Sequence, residues 1–67
     1  MARYMTTIAA AIRKACNEVH ENAQDKKIVR ALELLGVEHE QAYNFGVAHY
    51  DTKSVSKSVR RFIATRN

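Results

Sequence analysis

The chain contains 67 residues, of which 46% are hydrophobic and 27% charged, and its formal net charge is +4. This length allows one domain, residues 1–67, with so small a core that we expect a homodimer to add stability. The regularly spaced hydrophobic residues exclude disorder, no apolar run is long enough to span a membrane, and the single cysteine excludes an internal disulfide. We therefore expect a cytoplasmic protein without a signal peptide.

The positive charge is concentrated near the C-terminal end of the sequence. Residues 1–50 contain six basic and six acidic residues, so their charges cancel, whereas residues 51–67 contain five basic residues against one acidic residue. Such an asymmetry favours an anionic partner. The five basic residues are Lys53, Lys57, Arg60, Arg61 and Arg66.

The first predicted helix covers residues 6–22. Its apolar residues recur three and four positions apart, which places them on one helical face, and Thr6 or Thr7 is expected to cap its first turn. On this face Cys16 is expected to be a small buried residue rather than a reactive thiol. The face consists of Met5, Ile8, Ile12, Ala15, Cys16 and Val19.

The second predicted helix covers residues 26–35, with Asp25 as its expected N-cap and Gly36 in the left-handed position that ends many helices. Its apolar face is wide enough to contact two neighbours, so we expect this helix to lie at the centre of the fold. The face consists of Ile28, Leu32 and Leu35, widened by Val29, Ala31 and Leu34.

The third predicted helix covers residues 38–49, and Gly46 is expected to weaken it by roughly 1 kcal/mol relative to alanine. Its apolar surface consists of Ala42, Tyr43, Phe45 and Val47. A β-hairpin is the alternative to helices over this region. Apolar residues occupy every second position over residues 43–47, and residues 55, 57 and 59 have the same two-residue spacing, which is typical of one face of a strand. Asp51 and Thr52 would then form its turn.

The fourth predicted helix covers residues 52–65 and is capped by Asp51 or Thr52. Val55, Val59, Phe62 and Ile63 form an apolar stripe, and the basic residues, with Ser54, Ser56 and Ser58 between them, occupy the rest of its surface. Together the four elements predict an all-α fold, a small bundle of about four helices.

The fourth helix and the residues before it carry a recognisable pattern. A polar turn at residues 51 and 52 is followed by Ser54-Val55-Ser56-Lys57, an apolar Val59 and two arginines. Over residues 41–62 this pattern resembles helix-turn-helix DNA-binding proteins. The resemblance implies that Val55 and Val59 face inward and that the helix enters the major groove. It places six residues at the nucleic acid: Lys53, Ser54, Ser56, Lys57, Arg60 and Arg61.

Two alternatives to this site remain open. The polar side of the fourth helix can be the solvated face of an ordinary amphipathic helix. The helix-turn-helix pattern also fits the sequence in a second register, over residues 31–44, which places Gly36 at the turn. The recognition helix of this register would contain Glu38 and Glu40. Because two carboxylates repel phosphate, that register suits a protein partner better than DNA.

No other set of residues indicates a chemical site. Cys16 and His20 could form half of a metal site, but His39 and His49 are isolated in the sequence, so we predict no metal and no cofactor. Without a phosphate-binding loop or a nucleophile paired with a base, we expect no enzymatic activity.

The sequence therefore predicts a small nucleic-acid-binding regulatory protein, acting in transcriptional regulation. The alternative is a small non-catalytic protein, of the kind that phages and mobile elements use, that binds and modulates or inhibits a larger host protein with an acidic surface. Tyrosine suits half-buried interface positions. A protein interface would use Tyr43, Phe45 and Tyr50.

Overall fold

The computed structural model describes residues 7–20, 23–48 and 54–65. Its elements are α1 (Ile8–Glu18), α2 (Gln24–Leu34), α3 (His39–Ala48) and α4 (Val55–Thr65), and these described ranges contain no strand. The predicted all-α fold of four helices is confirmed. The hairpin alternative is wrong, because the residues that would pair across it lie in α3 and α4.

Two of the predicted helix ends are confirmed. The Thr7 hydroxyl accepts a hydrogen bond from the N–H of Ala10 at 3.1 Å and so caps α1. Gly36 has a φ of 94°, in the left-handed region. Around it the N–H of Val37 donates to the Leu32 carbonyl and the N–H of Gly36 donates to the Glu33 carbonyl, each at 3.0 Å. These two bonds form a Schellman motif, which satisfies carbonyl groups at the end of α2.

Other predicted ends are wrong. The N-cap of α2 is Ala23, whose backbone is extended and which makes no side-chain cap, so Asp25 lies inside the first turn, where its charge still favours the positive end of the helix. In α4 the cap is Ser54, whose hydroxyl accepts the N–H of Lys57 at 3.2 Å. The predicted caps Asp51 and Thr52 lie outside the described residues. Helix α1 ends earlier than predicted because Val19 adopts an extended backbone.

The core forms around α2, which packs against the other three helices, while α1 also packs against α4. This arrangement confirms the central position predicted for α2. In α1 the fully buried residues are Ala11 and Ala15, whereas Ile8, Ile12 and Cys16 are only half-buried. Small residues at these contacts let the helix backbones approach closely. The buried apolar residues are Ala11, Ala15, Ile28, Ala31, Leu32, Val37, Ala42, Val55 and Val59.

Helix α3 meets α2 through its smallest residues. Ala42 and Gly46 are buried, and a Cβ atom added at Gly46 would lie 2.5 Å from Val29 Cγ2 and 3.1 Å from the carbonyl oxygen of Asp25. Gly46 therefore permits the close contact with α2. The apolar surface predicted for α3 is partly wrong, because Tyr43 and Val47 are 55% and 45% exposed.

We expect Gly46→Ala to destabilise the protein. Overpacking a core costs about 1–3 kcal/mol, and valine in a helix is nearly restricted to one rotamer and cannot move aside easily. The helix-propensity gain of about 1 kcal/mol offsets only part of this cost. Urea unfolding of the variant should give a free energy of unfolding lower by about 1 kcal/mol.

The matched control for this experiment is Asn44→Ala, at an exposed position of the same helix. It has most of the helix-propensity benefit without the contact to α2, so its stability should equal or exceed that of the wild type. A Gly46→Ala variant that is as stable as the Asn44→Ala variant would contradict the close packing of α3 on α2.

Candidate nucleic-acid interface

Helix α4 separates its apolar and basic residues onto two faces. Val55 and Val59 are buried, and Phe62 and Ile63 are half-buried against the core, which confirms the predicted inward stripe. The opposite side carries three cations, three and four positions apart, whose side chains are all exposed. We call these three residues the basic face: Lys57, Arg60 and Arg61.

Two of the predicted serines lie beside the basic face and are half-buried. Ser54 Oγ caps the helix at the N–H of Lys57, and Ser56 Oγ accepts a hydrogen bond from Arg60 Nε at 3.2 Å. A hydroxyl that accepts a hydrogen bond can still donate one, so both serines retain a donor for a phosphate oxygen. Lys53, the remaining predicted site residue, lies outside the described residues.

Ser58 is the exception to the polar pattern of α4. It is 3% exposed, and its Oγ has no hydrogen-bond partner among the described residues. Sequence reasoning assigned it to the polar surface, which is wrong. The spacing contains the signal that was missed: position 58 lies three residues after Val55 and four before Phe62, and so falls within the apolar stripe.

Two acidic residues of the described chain, Glu18 and Glu33, pair with basic groups outside α4. The Oε1 atom of Glu18 accepts a hydrogen bond from Arg30 Nε at 2.5 Å, and Glu18 Oε2 lies 4.0 Å from Lys14 Nζ. Glu33 lies 3.6 Å from Arg30 Nη1 and also pairs with His39 Nδ1.

By contrast, α4 contains no acidic residue. Within the part of the chain that the structure describes, the three cations of the basic face form no ion pair. Among the described residues, no carboxylate therefore neutralises their charges.

The Arg30–Glu18 pair has one electrostatic consequence. The hydrogen bond from Arg30 lowers the pKa of Glu18 below its ordinary value; desolvation opposes this, and the charges of Arg30 and Lys14 add to it. A lowered folded-state pKa means that this contribution to stability is present at neutral pH and is lost as the pH falls through that pKa. Since the pair is exposed to solvent, its contribution is small.

Of the three aromatic residues predicted for a protein interface, the two that the structure describes do not share one surface. Tyr43 is exposed, with its ring centroid 6.1 Å from that of His39. Phe45 is half-buried and makes an edge-to-face contact with Phe62, with ring centroids 5.0 Å apart, so it belongs to the packing between α3 and α4. Tyr50 lies outside the described residues.

A concave surface that sequence reasoning missed lies between α2 and α3, with a volume of about 360 Å³. Its apolar residues are Val29, Tyr43 and Val47, and we call it the α2–α3 groove. The signal for it was the four-residue spacing of Tyr43 and Val47, which forms a stripe separate from Ala42 and Gly46. Charged and titratable residues also line the groove: Asp25, Lys26, Arg30, Glu33 and His39.

Comparison of the chain with protein-family models, with curated proteins and with solved structures finds no match. Within residues 7–20, 23–48 and 54–65, none of the helices has both the length and the apolar character required to span a bilayer. The same residues contain no group of three or more His, Cys, Asp or Glu side chains arranged to hold a metal ion.

We expect Ser58→Ala to stabilise the protein. A buried hydroxyl without a partner costs about 1–3 kcal/mol, and alanine is also the better helix former. Thermal unfolding should show a melting temperature higher by about 4–8 °C for each kcal/mol gained. The control is Ser56→Ala, which removes a half-buried hydroxyl and should change stability by less than about 0.5 kcal/mol. A lower melting temperature for Ser58→Ala would mean that this hydroxyl has a partner.

Proposed function

We propose that this chain is a small cytoplasmic regulatory protein that binds nucleic acid through the basic face of α4 and acts in transcriptional regulation. The observation that supports this proposal is the position of Lys57, Arg60 and Arg61 together on one exposed side of a helix that has no carboxylate. Cations presented in this way neutralise backbone phosphates and release condensed counterions, which is the main source of non-specific affinity for DNA.

The packing of α4 suits this role. Val55 and Val59 anchor the helix in the core, so the three cations extend from a rigid element rather than from a loop. Ser54 and Ser56 add hydroxyl donors beside them, and short hydroxyl side chains commonly contact phosphate and sugar oxygens. The hydrogen bond from Arg60 to Ser56 holds that guanidinium close to the helix surface, while Lys57 and Arg61 can extend farther.

The composition of the exposed face favours a duplex over a single strand. Besides the three cations, the exposed residues of α4 are Ala64 and Thr65. Binding of single strands relies on aromatic side chains that stack on bases, and none is exposed on α4 within its described residues. Arginine side chains in a major groove can form bidentate hydrogen bonds to guanine. The resemblance to helix-turn-helix proteins points to the same groove and stays a prediction.

The proposal predicts that Lys57→Glu combined with Arg60→Glu abolishes binding to a mixed-sequence DNA duplex at low salt. The double substitution replaces two attractive contacts with repulsion of phosphate, and it leaves the fold intact because both side chains are exposed. Fluorescence anisotropy of a labelled duplex measures binding, and far-ultraviolet circular dichroism checks that the helices are retained.

The matched control is Arg13→Glu combined with Lys14→Glu on α1, which changes the net charge by the same amount at two exposed positions. This control should keep most of the affinity. Equal loss of binding in both double variants would show that net charge alone matters, and undiminished binding by the α4 variant would place the site elsewhere.

The second candidate function is that of a small non-catalytic protein, of phage or mobile-element type, that binds and modulates or inhibits a larger host protein. The same three cations favour it, because they would also fit an acidic protein surface. Affinity capture from a bacterial lysate, with and without nuclease, separates the two functions. A protein partner that survives nuclease and is lost with Lys57→Glu and Arg60→Glu favours this second function.

A further inference from the structure

The α2–α3 groove contains the most exposed large apolar side chains of the described residues. Tyr43 and Val47 are the large hydrophobic residues with the highest exposure, 55% and 45%, and both line the groove beside Val29. Neither contributes to the core. Tyrosine is enriched at protein interfaces, because its ring buries apolar area while its hydroxyl stays hydrogen-bonded.

The charges around the groove indicate which partner fits it. The whole chain carries +4, so two copies repel each other across most of their surfaces. The groove is an exception: two carboxylates, Asp25 and Glu33, balance two cations, Lys26 and Arg30. None of its lining residues belongs to α4 or to the fully buried core. The groove is therefore a neutral face that is separate from the basic face.

The order of these charges along α2 is self-complementary. Lys26 and Glu33 are seven residues apart, two turns of helix or about 10 Å, and so lie on the same side of α2. If a second α2 runs antiparallel, with a two-fold axis between positions 29 and 30, Lys26 of each copy faces Glu33 of the other. In an isologous interface each such contact occurs twice.

The same axis brings the apolar residues together. Val29 lies on the side of α2 that faces α3, and Tyr43 and Val47 lie on α3 itself. A two-fold axis perpendicular to α2 keeps these residues of both copies on the same side of the paired α2 helices. Arg30 lies on the α1 side, where Glu18 pairs with it. Apolar residues thus meet apolar residues, and the central charges meet opposite charges.

We propose that the α2–α3 groove is the interface of a symmetric homodimer in which Lys26 of each subunit pairs with Glu33 of the other. The small core of a 67-residue chain gains stability from such an association. The proposal does not rest on nucleic-acid binding, since the basic face takes no part in this contact.

Sedimentation equilibrium over a range of protein concentrations tests the proposal. The wild-type chain should form a species of twice its 7.6 kDa mass. Tyr43→Glu should weaken the association at least about tenfold, because it places a charge in the apolar part of the contact. Gln41→Glu, which adds the same charge at an exposed position of α3 outside the groove, should leave it unchanged.

Two further variants test the pairing between copies. Lys26→Glu alone should be monomeric because it creates two repulsions between carboxylates, and Glu33→Lys alone should be monomeric because it creates two repulsions between ammonium groups. An equimolar mixture of the two variants restores both attractive pairs and should form a heterodimer. Should Glu33→Lys fail to fold, as judged by circular dichroism, the comparison of Tyr43→Glu with Gln41→Glu decides the matter.

Three results would overturn the proposal. If the wild-type chain stays monomeric at every concentration, the groove is not a homodimer interface and would bind a different protein. A dimer that survives Tyr43→Glu, or that is lost equally with Gln41→Glu, would use another surface. Two folded charge variants that do not associate when mixed would exclude the antiparallel pairing of Lys26 with Glu33.

Discussion

The contact of α2 with the other three helices is the interaction on which this structure depends. Ile28 and Leu32 are fully buried, and Val55 and Val59 of α4 belong to the same cluster. Since a domain of this size has little apolar area to bury, each of these contacts carries a large share of its stability. Alanine residues and Gly46 let the helices approach closely enough to form the cluster. The orientation of α4, and so of its basic face, follows from this packing.

The pairing of charges is the second determinant of how the protein interacts. Glu18 and Glu33 both contact Arg30, so the charge of Arg30 is neutralised within the folded chain. The cations of α4 have no counterpart on their own helix. The fold thus separates a neutral surface around α2 and α3 from a positive surface on α4.

Much of the fold follows from local sequence pattern. The three-to-four spacing of apolar residues predicts the four helices, and Thr7 and Gly36 mark ends that depend on local backbone geometry alone. The starts of α2 and α4 were mispredicted because several neighbouring residues can cap a helix, and tertiary packing decides which of them takes the extended backbone. Asp25 was predicted to cap α2 but lies inside its first turn, whereas Ser54, which was not predicted as a cap, caps α4.

The candidate site was less predictable. The positions of Lys57, Arg60 and Arg61 followed from helical periodicity, whereas the burial of Ser58 ran against its polarity. The role of Gly46 depends on Val29, seventeen positions earlier in the sequence, so no local rule reveals it. The α2–α3 groove likewise forms only when the two helices pack together. In the sequence it is indicated only by the four-residue spacing of Tyr43 and Val47, which predicts a second apolar stripe on α3.

The most direct measurement of the central claim is a titration of wild-type protein against a mixed-sequence DNA duplex at increasing salt concentration. If four or five cations of α4 and its flanking residues neutralise phosphates, the logarithm of the association constant should fall with the logarithm of the salt concentration at a slope of about −4. Absence of binding at low salt, or binding that does not respond to salt, would contradict a phosphate-binding role for the basic face.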